Sequence, residues 1–214
     1  MPASYQQAQT QLEPIEGGYC LGMECGTSKS GETYRGIDRG FHPKWKGWAL
    51  IDQYKKTIGR PKFQARFTGP LGAAINTEVI NFYTTEFWNK HEIFRFNNQT
   101  LASMLFAFIV HRQYAAIKVI NEVAKKIAPG VVVSTTKITP QVAAAIELNV
   151  ANGYSLLRAA IIAHYNSLTL NTVKTRAAFI NNRVNIFPTT IGSNTAAGGA
   201  GWLAAFFGSL TLLR

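Results

Sequence analysis

Glu16-Gly17-Gly18-Tyr19 and Ser30-Gly31-Glu32-Thr33-Tyr34-Arg35-Gly36-Ile37 are the two stretches on which the reading of this chain turns. A carboxylate is followed at once by two glycines and an aromatic. Fifteen residues after Glu16 begins Gly31-Glu32-Thr33, closed by Gly36-Ile37. Glycines in such a turn supply backbone conformations closed to other residues and let the chain run close to a ligand or to itself. Upstream, residues 5 to 15 predict a helix with a small apolar face at Leu12 and Ile15, its last turn disturbed by Pro14. Glu16 therefore falls at a helix end. Residues 20 to 36 read as a loop or a short hairpin.

Working outward, the rest of the chain reads as helices. Trp45 to Ile51 predicts a short helix, and Gly59, Pro61, Gly69 and Pro70 mark a loop. Leu71, Ile75, Val79, Phe82, Tyr83 and Trp88 recur at helical spacing up to about His91. A long helical stretch follows from about Thr100 to Ile127, with a break expected near Arg112-Gln113. Pro129-Gly130 stops it. Thr139-Pro140 is a helix start, since Thr caps and Pro fits the first turn. Further helices are expected over 153–168 and 170–184. From Val184 to Leu213 no residue is charged, and residues 196 to 213 form an apolar, glycine-rich tail. Its 18 residues are at the short end of a membrane span. The tail is read either as docking on protein or as entering a membrane.

The chain has 214 residues, 22 Lys and Arg against 11 acids, and a formal net charge of +11. That excess favours anionic partners: nucleic acid, an anionic membrane face or a bacterial wall. Ten of the basic residues lie between Lys29 and Arg66, with Trp45 and Trp48 among them. No helix-turn-helix, zinc-finger or RRM signature accompanies them, so nucleic acid is not favoured as a partner. Cys20 and Cys25 are too few for a zinc site, and either pair after export or remain thiols. His42, His91, His111 and His164 are scattered with no i, i+4 pair. Neither a metal nor a cofactor is expected. No Sec signal peptide is visible.

The two opening motifs resemble those of the phage-type N-acetylmuramidases of glycoside hydrolase family 108. Their usual pattern is Glu-Gly-Gly-Tyr, a polar loop, Gly-Gly-Glu-Thr, two residues, and Gly-Ile. Phe82-Tyr83-Thr84-Thr85-Glu86-Phe87-Trp88 is similar to the aromatic segment that closes the family's catalytic part. The later helices look like the predicted peptidoglycan-binding region that commonly follows. Two departures stand out. The family's loop usually carries Asn-Asp-Pro and another Asp, whereas residues 20 to 29 here contain none, with Glu24 the nearest substitute. Ser30 stands for the first Gly of Gly-Gly-Glu-Thr.

The resemblance implies a mainly α protein: a lysozyme-like helical catalytic domain over 1–97, a helical bundle-like region over 98–187, and the apolar tail over 188–214. It implies a peptidoglycan hydrolase that cleaves the β-1,4 bond between N-acetylmuramic acid and N-acetylglucosamine. Glu16 would be the general acid, kept protonated by a partly desolvated site. Glu32 would be a second catalytic carboxylate or a carboxylate that fixes the loop. Thr33, Tyr19, Gly17 and Gly18 would line the substrate site, with Tyr19 stacking on a sugar or supporting the turn. Such an enzyme, lacking a Sec signal, would act in the periplasm or at the wall after release or injection. The tail would contact a membrane or a phage or secretion particle. The alternative is an inactive wall-binding or structural component of a phage tail or contractile secretion particle.

Overall fold

The computed structural model describes residues 1–22, 31–169 and 173–192. It is mainly α-helical, and the helices gather around one that is buried on all sides. That helix, α4, spans Gln99–Arg112, and every residue from Leu101 to Ile109 is buried. A helix apolar all round must be enclosed by others. Asn98 caps it, its Oδ1 accepting from the Leu101 amide at 3.0 Å.

The chain reaches this core from both ends. Helix α1, Tyr5–Leu12, buries Ala8 and Leu12 and packs on α4. The Ser4 amide donates to Gln99 Oε1 at 2.6 Å, and Ala3 N donates to Phe96 O at 2.9 Å. At the start of α4, Glu147 accepts from the amides of Asn97 and Asn98 at 2.6 and 2.9 Å. One apolar core thus runs without interruption across residue 98, from Leu12 through Leu105 to Tyr154 and Val184.

Between α1 and the later helices lies a small antiparallel sheet: β1 (Tyr19–Leu21), β2 (Glu32–Tyr34) and β3 (Ile37–Asp38), in the order β1-β2-β3. Tyr19 pairs with Tyr34, and Thr33 with Asp38. Arg35 and Gly36, between β2 and β3, both have positive φ, 47° and 77°. Two successive positive-φ residues suit the twist of a tight hairpin. Helix α2, Gly47–Ile58, stops at Gly59 with φ 85°. It runs about two turns beyond the short element expected around Trp45 to Ile51. Helix α3, Gly69–Tyr83, passes directly into a π-helical turn, Thr84–Asn89.

The long helical stretch is interrupted where Arg112-Gln113 suggests. Gln113 takes φ 41° and ψ −115°, and α5 follows as Tyr114–Ile127. Helix α6 is Pro140–Glu147, with Thr139 Oγ1 accepting from the Val142 amide at 3.2 Å. Helix α7 is Val150–Asn166, starting ahead of the expected Gly153 because Asn149 caps it, accepting from Asn152 N at 3.1 Å. Helix α8, Val173–Arg183, has no buried residue, but Val184, Phe187 and Ile191 beyond it are buried. The first helix ends at Leu12, short of Ile15. Pro14 has no amide hydrogen to continue it.

Cys20 is disulfide-bonded. Cys25, the other cysteine of the sequence, lies outside the described residues, as does Glu24. Among the described residues, no helix is long and apolar enough to cross a membrane. The tail from residue 193 onward, on which the membrane or particle expectation chiefly rests, lies outside them.

Candidate active site

Glu16 stands one turn beyond α1, its amide donating to Leu12 O at 3.3 Å. The two glycines after it are required by a strand of chain that crosses there. Gly17 has φ 68°. A Cβ on Gly18 would lie 2.3 Å from the carbonyl oxygen of Gln64. Gln64 clamps the turn, its Oε1 accepting from Gly18 N at 2.6 Å. Tyr19 and residues 64–65 then exchange backbone bonds of 3.0 and 2.7 Å. Glu16 is thereby carried on a fixed turn, with Gly17 and Gly18 serving the backbone.

The carboxylate points into a hollow of about 210 Å³. Gly36 of the hairpin, His42 after β3, Tyr83 of α3, Phe87 of the π-helical turn, and His111 and Gln113 at the α4–α5 break line it. Gly36 is the seat of the acid: a Cβ there would come within 2.1 Å of Glu16 Oε2 and 2.6 Å of the Tyr83 hydroxyl oxygen. Tyr83 in turn donates to Arg35 O at 2.7 Å, fixing the hairpin. Arg183, at the end of α8, donates through Nη2 to Glu16 Oε1 at 3.1 Å. Burial raises the Glu16 pKa above the usual carboxylate range, and the attraction of Arg183 only partly opposes it. Among the described residues lining this hollow, Glu16 is the one carboxylate.

A wider hollow of about 630 Å³ adjoins the first and shares His42 and Phe82 with it. That is within the usual size of a ligand site. Phe41, Trp45 and Phe82 offer aromatic surface there, and Lys44, Glu78, Asn81 and Glu86 offer polar groups. Phe41 is 64 % exposed. Trp45 is held in place, Nε1 donating to Glu78 O at 3.1 Å and its ring meeting Trp48 edge-on at 5.0 Å.

Glu32 lines neither hollow. It is buried in an ionic cluster, accepting from Lys55 at 2.8 Å, Arg39 at 2.6 Å and the Tyr19 hydroxyl at 2.9 Å. Burial alone would raise its pKa, but these three donors outweigh it and hold the carboxyl below its ordinary value. Arg39 and Lys55 also bind Asp52. Tyr19 is fully buried and supports the turn. Thr33, paired with Cys20 and Asp38 in the sheet, also lines neither hollow. Part of the basic stretch is paired with acids: Arg35 and Arg66 bind Glu13, and Arg39 and Lys55 bind Glu32 and Asp52.

Gly36 is visible in the sequence as part of the motif, but its role as the carboxylate's seat is not. His42, Tyr83, His111 and Arg183 carry no spacing signal that ties them to Glu16. The histidines add a pH dependence. Burial lowers the pKa of all four, that of His111 to about 3. The unfolded chain takes up protons near the ordinary value of 6.5, and the folded chain resists them. Stability is therefore lost as pH falls below about 6.5. The lowered carboxyls of Glu32 and Asp52 add a second loss as pH falls through their own range. Glu16, raised, has the opposite sign, one group against these. Urea midpoints are expected to decline steadily from pH 7 to pH 4, and a constant midpoint over that range would contradict the argument.

A desolvated, protonatable carboxyl beside an aromatic-lined hollow on a helical scaffold fits a hydrolase that cleaves glycosidic bonds by acid catalysis. Residues 12–112 match the model of the family described as Glycosyl hydrolase 108. The match covers just under half of the 214 residues and supports a glycosyl hydrolase of this lysozyme-like type. It contains Glu16, Gly36, His42, Tyr83 and His111, and it stops short of Gln113 and Arg183. No curated protein and no solved structure matches the chain.

Proposed function

We propose that this protein is a peptidoglycan hydrolase, an N-acetylmuramidase that cuts the β-1,4 bond between N-acetylmuramic acid and N-acetylglucosamine. The observation that carries the reading is the placement of Glu16, buried in its hollow within the region matched by the glycosyl hydrolase family model. A raised pKa lets a carboxyl keep its proton near neutral pH and give it to the leaving glycosidic oxygen as that bond breaks. The wider hollow would take the glycan, sugar faces against Phe41 and Trp45 and hydroxyls against Asn81, Glu78 and Glu86. Glu32, already ionised and saturated with donors, would hold the sheet beneath the hairpin. The protein would act in the periplasm or at the wall after release or injection, the segment 188–214 contacting a membrane or a particle.

The reading predicts how the cleft behaves. Trp45→Ala and Phe41→Ala are expected to raise KM about 10-fold each with a smaller change in kcat, because they touch bound glycan away from the breaking bond. Unchanged KM and kcat in both folded variants would place the glycan elsewhere.

A second reading, an inactive wall-binding or structural component, is favoured by one observation. Among the described residues, Glu16 is the only carboxylate lining its hollow, whereas most glycoside hydrolases use two. Incubation of purified peptidoglycan with the protein separates the two readings. New reducing ends borne on N-acetylmuramic acid support the muramidase. Retention on the wall with no new ends supports the binding component, and reducing ends on N-acetylglucosamine would point to the other glycosidic bond.

A further inference from the structure

The acid is held from the far end of the chain. Arg183 lies 167 positions after Glu16, outside the matched region, yet its Nη2 donates to Glu16 Oε1 at 3.1 Å. Both side chains are largely buried, 13 % and 11 % exposed. Among the described residues, Arg183 is the one hydrogen-bond partner of this carboxylate. The segment after α8 fixes its position. Val184 and Phe187 are buried in the core, Arg158 Nη2 donates to Asn185 Oδ1 at 2.8 Å, and the Tyr154 hydroxyl donates to Pro188 O at 2.6 Å.

The two carboxylate oxygens are thereby made unequal. Oε1 faces a guanidinium, which only donates. Oε2 rests against Gly36, in the space a Cβ would fill. We propose that Arg183 is a positioning residue for the acid: it occupies Oε1, leaves Oε2 to carry the proton, and sets the upper pH at which that proton is held. The inference rests on the reading of Glu16 as the general acid.

The surrounding groups leave this task to Arg183. His42 from the loop after β3 and His111 from α4 line the same hollow, and burial keeps both imidazoles neutral at pH 7. Tyr83 of α3 and Tyr165 of α7 have raised pKa values and stay neutral. Among the described residues, Arg183 is then the one cation in the lining. Burial raises the proton affinity of Glu16 and Arg183 pulls it back. An opposite charge at this range moves a carboxyl pKa by about 1 to 3 units.

The test is a titration of the Glu16 side-chain carboxyl by 13C NMR in the full-length protein, with Arg183→Gln and Arg183→Lys alongside. In Arg183→Gln the midpoint is expected to rise by about 1 to 3 pH units, and the alkaline limb of kcat/KM to move with it. Arg183→Lys, which keeps the charge, should stay near the parent midpoint. An unchanged midpoint in folded Arg183→Gln overturns the proposal. Should that variant not fold, the wild type decides: the Arg183 guanidinium 15N signals must shift at the Glu16 midpoint, and signals indifferent to it overturn the proposal equally. Since the titration needs no substrate, absence of wall cleavage counts against the muramidase and leaves the Arg183 result standing.

Discussion

Glu16→Gln is expected to fold as the parent does and to cut peptidoglycan about 10²- to 10⁴-fold more slowly. Glutamine keeps the shape of the side chain, and its carbonyl still accepts from Arg183. It has no acidic proton to deliver to a leaving oxygen. The instructive comparison is Glu32→Gln, because the two carboxylates look alike in the sequence. Glu32 receives hydrogen bonds from Lys55, Arg39 and Tyr19 while buried. Neutralising it leaves those donors underpaired, although Arg39 and Lys55 keep Asp52. A stability loss of about 2 to 3 kcal/mol is expected, with kcat within about 10-fold of the parent. Initial rates on wall substrate and urea denaturation of both variants check this. A Glu32→Gln protein that is stable but inactive would move the chemistry to Glu32 and sink the assignment.

Gly36→Ala is expected to abolish most activity with a single methyl group. The added Cβ would fall 2.1 Å from Glu16 Oε2 and 2.6 Å from the Tyr83 hydroxyl oxygen, so both side chains must shift. Displacing an acid by about 1 Å is enough to cost about 10²-fold in rate. The backbone adds strain, since φ is 77° there and an L side chain in that region costs about 1 to 2 kcal/mol. Gly59→Ala separates the two effects. Its φ is 85°, and nothing lies within 4 Å of the added methyl. It should lose comparable stability and keep its activity. Thermal melts and rates on the pair decide the matter; equal activity losses in the two variants would mean that backbone strain, not the acid's seat, explains Gly36.

The residues that could be read in advance were those whose signal is local. The turn at Glu16-Gly17-Gly18, the cap at Thr139-Pro140 and the break at Gln113 follow from the chemistry of single residues and their neighbours. The sheet was legible only as a hairpin without defined strands, because strands of two or three residues, such as Ile37–Asp38, are too short to show a period. Glu16 and Glu32 are both glutamates beside glycines. What separates them, a buried hollow with Arg183 donating to the carboxylate for one and Lys55, Arg39 and Tyr19 for the other, is assembled from distant parts of the chain. Tyr19 has the look of a sugar-stacking ring next to the acid, yet it is fully buried, its ring against Phe67 and its hydroxyl on Glu32. Arg183 is 167 residues from its partner and sits in a helix whose other residues face solvent or are half-buried, so no spacing announces it.

The most direct test of the account is digestion of purified peptidoglycan by the wild type and by Glu16→Gln in parallel, with the soluble products reduced and identified by mass spectrometry. The account predicts fragments ending in reduced N-acetylmuramic acid from the wild type and almost none from the folded variant. Cleavage by both proteins at similar rates, or by neither, would contradict it.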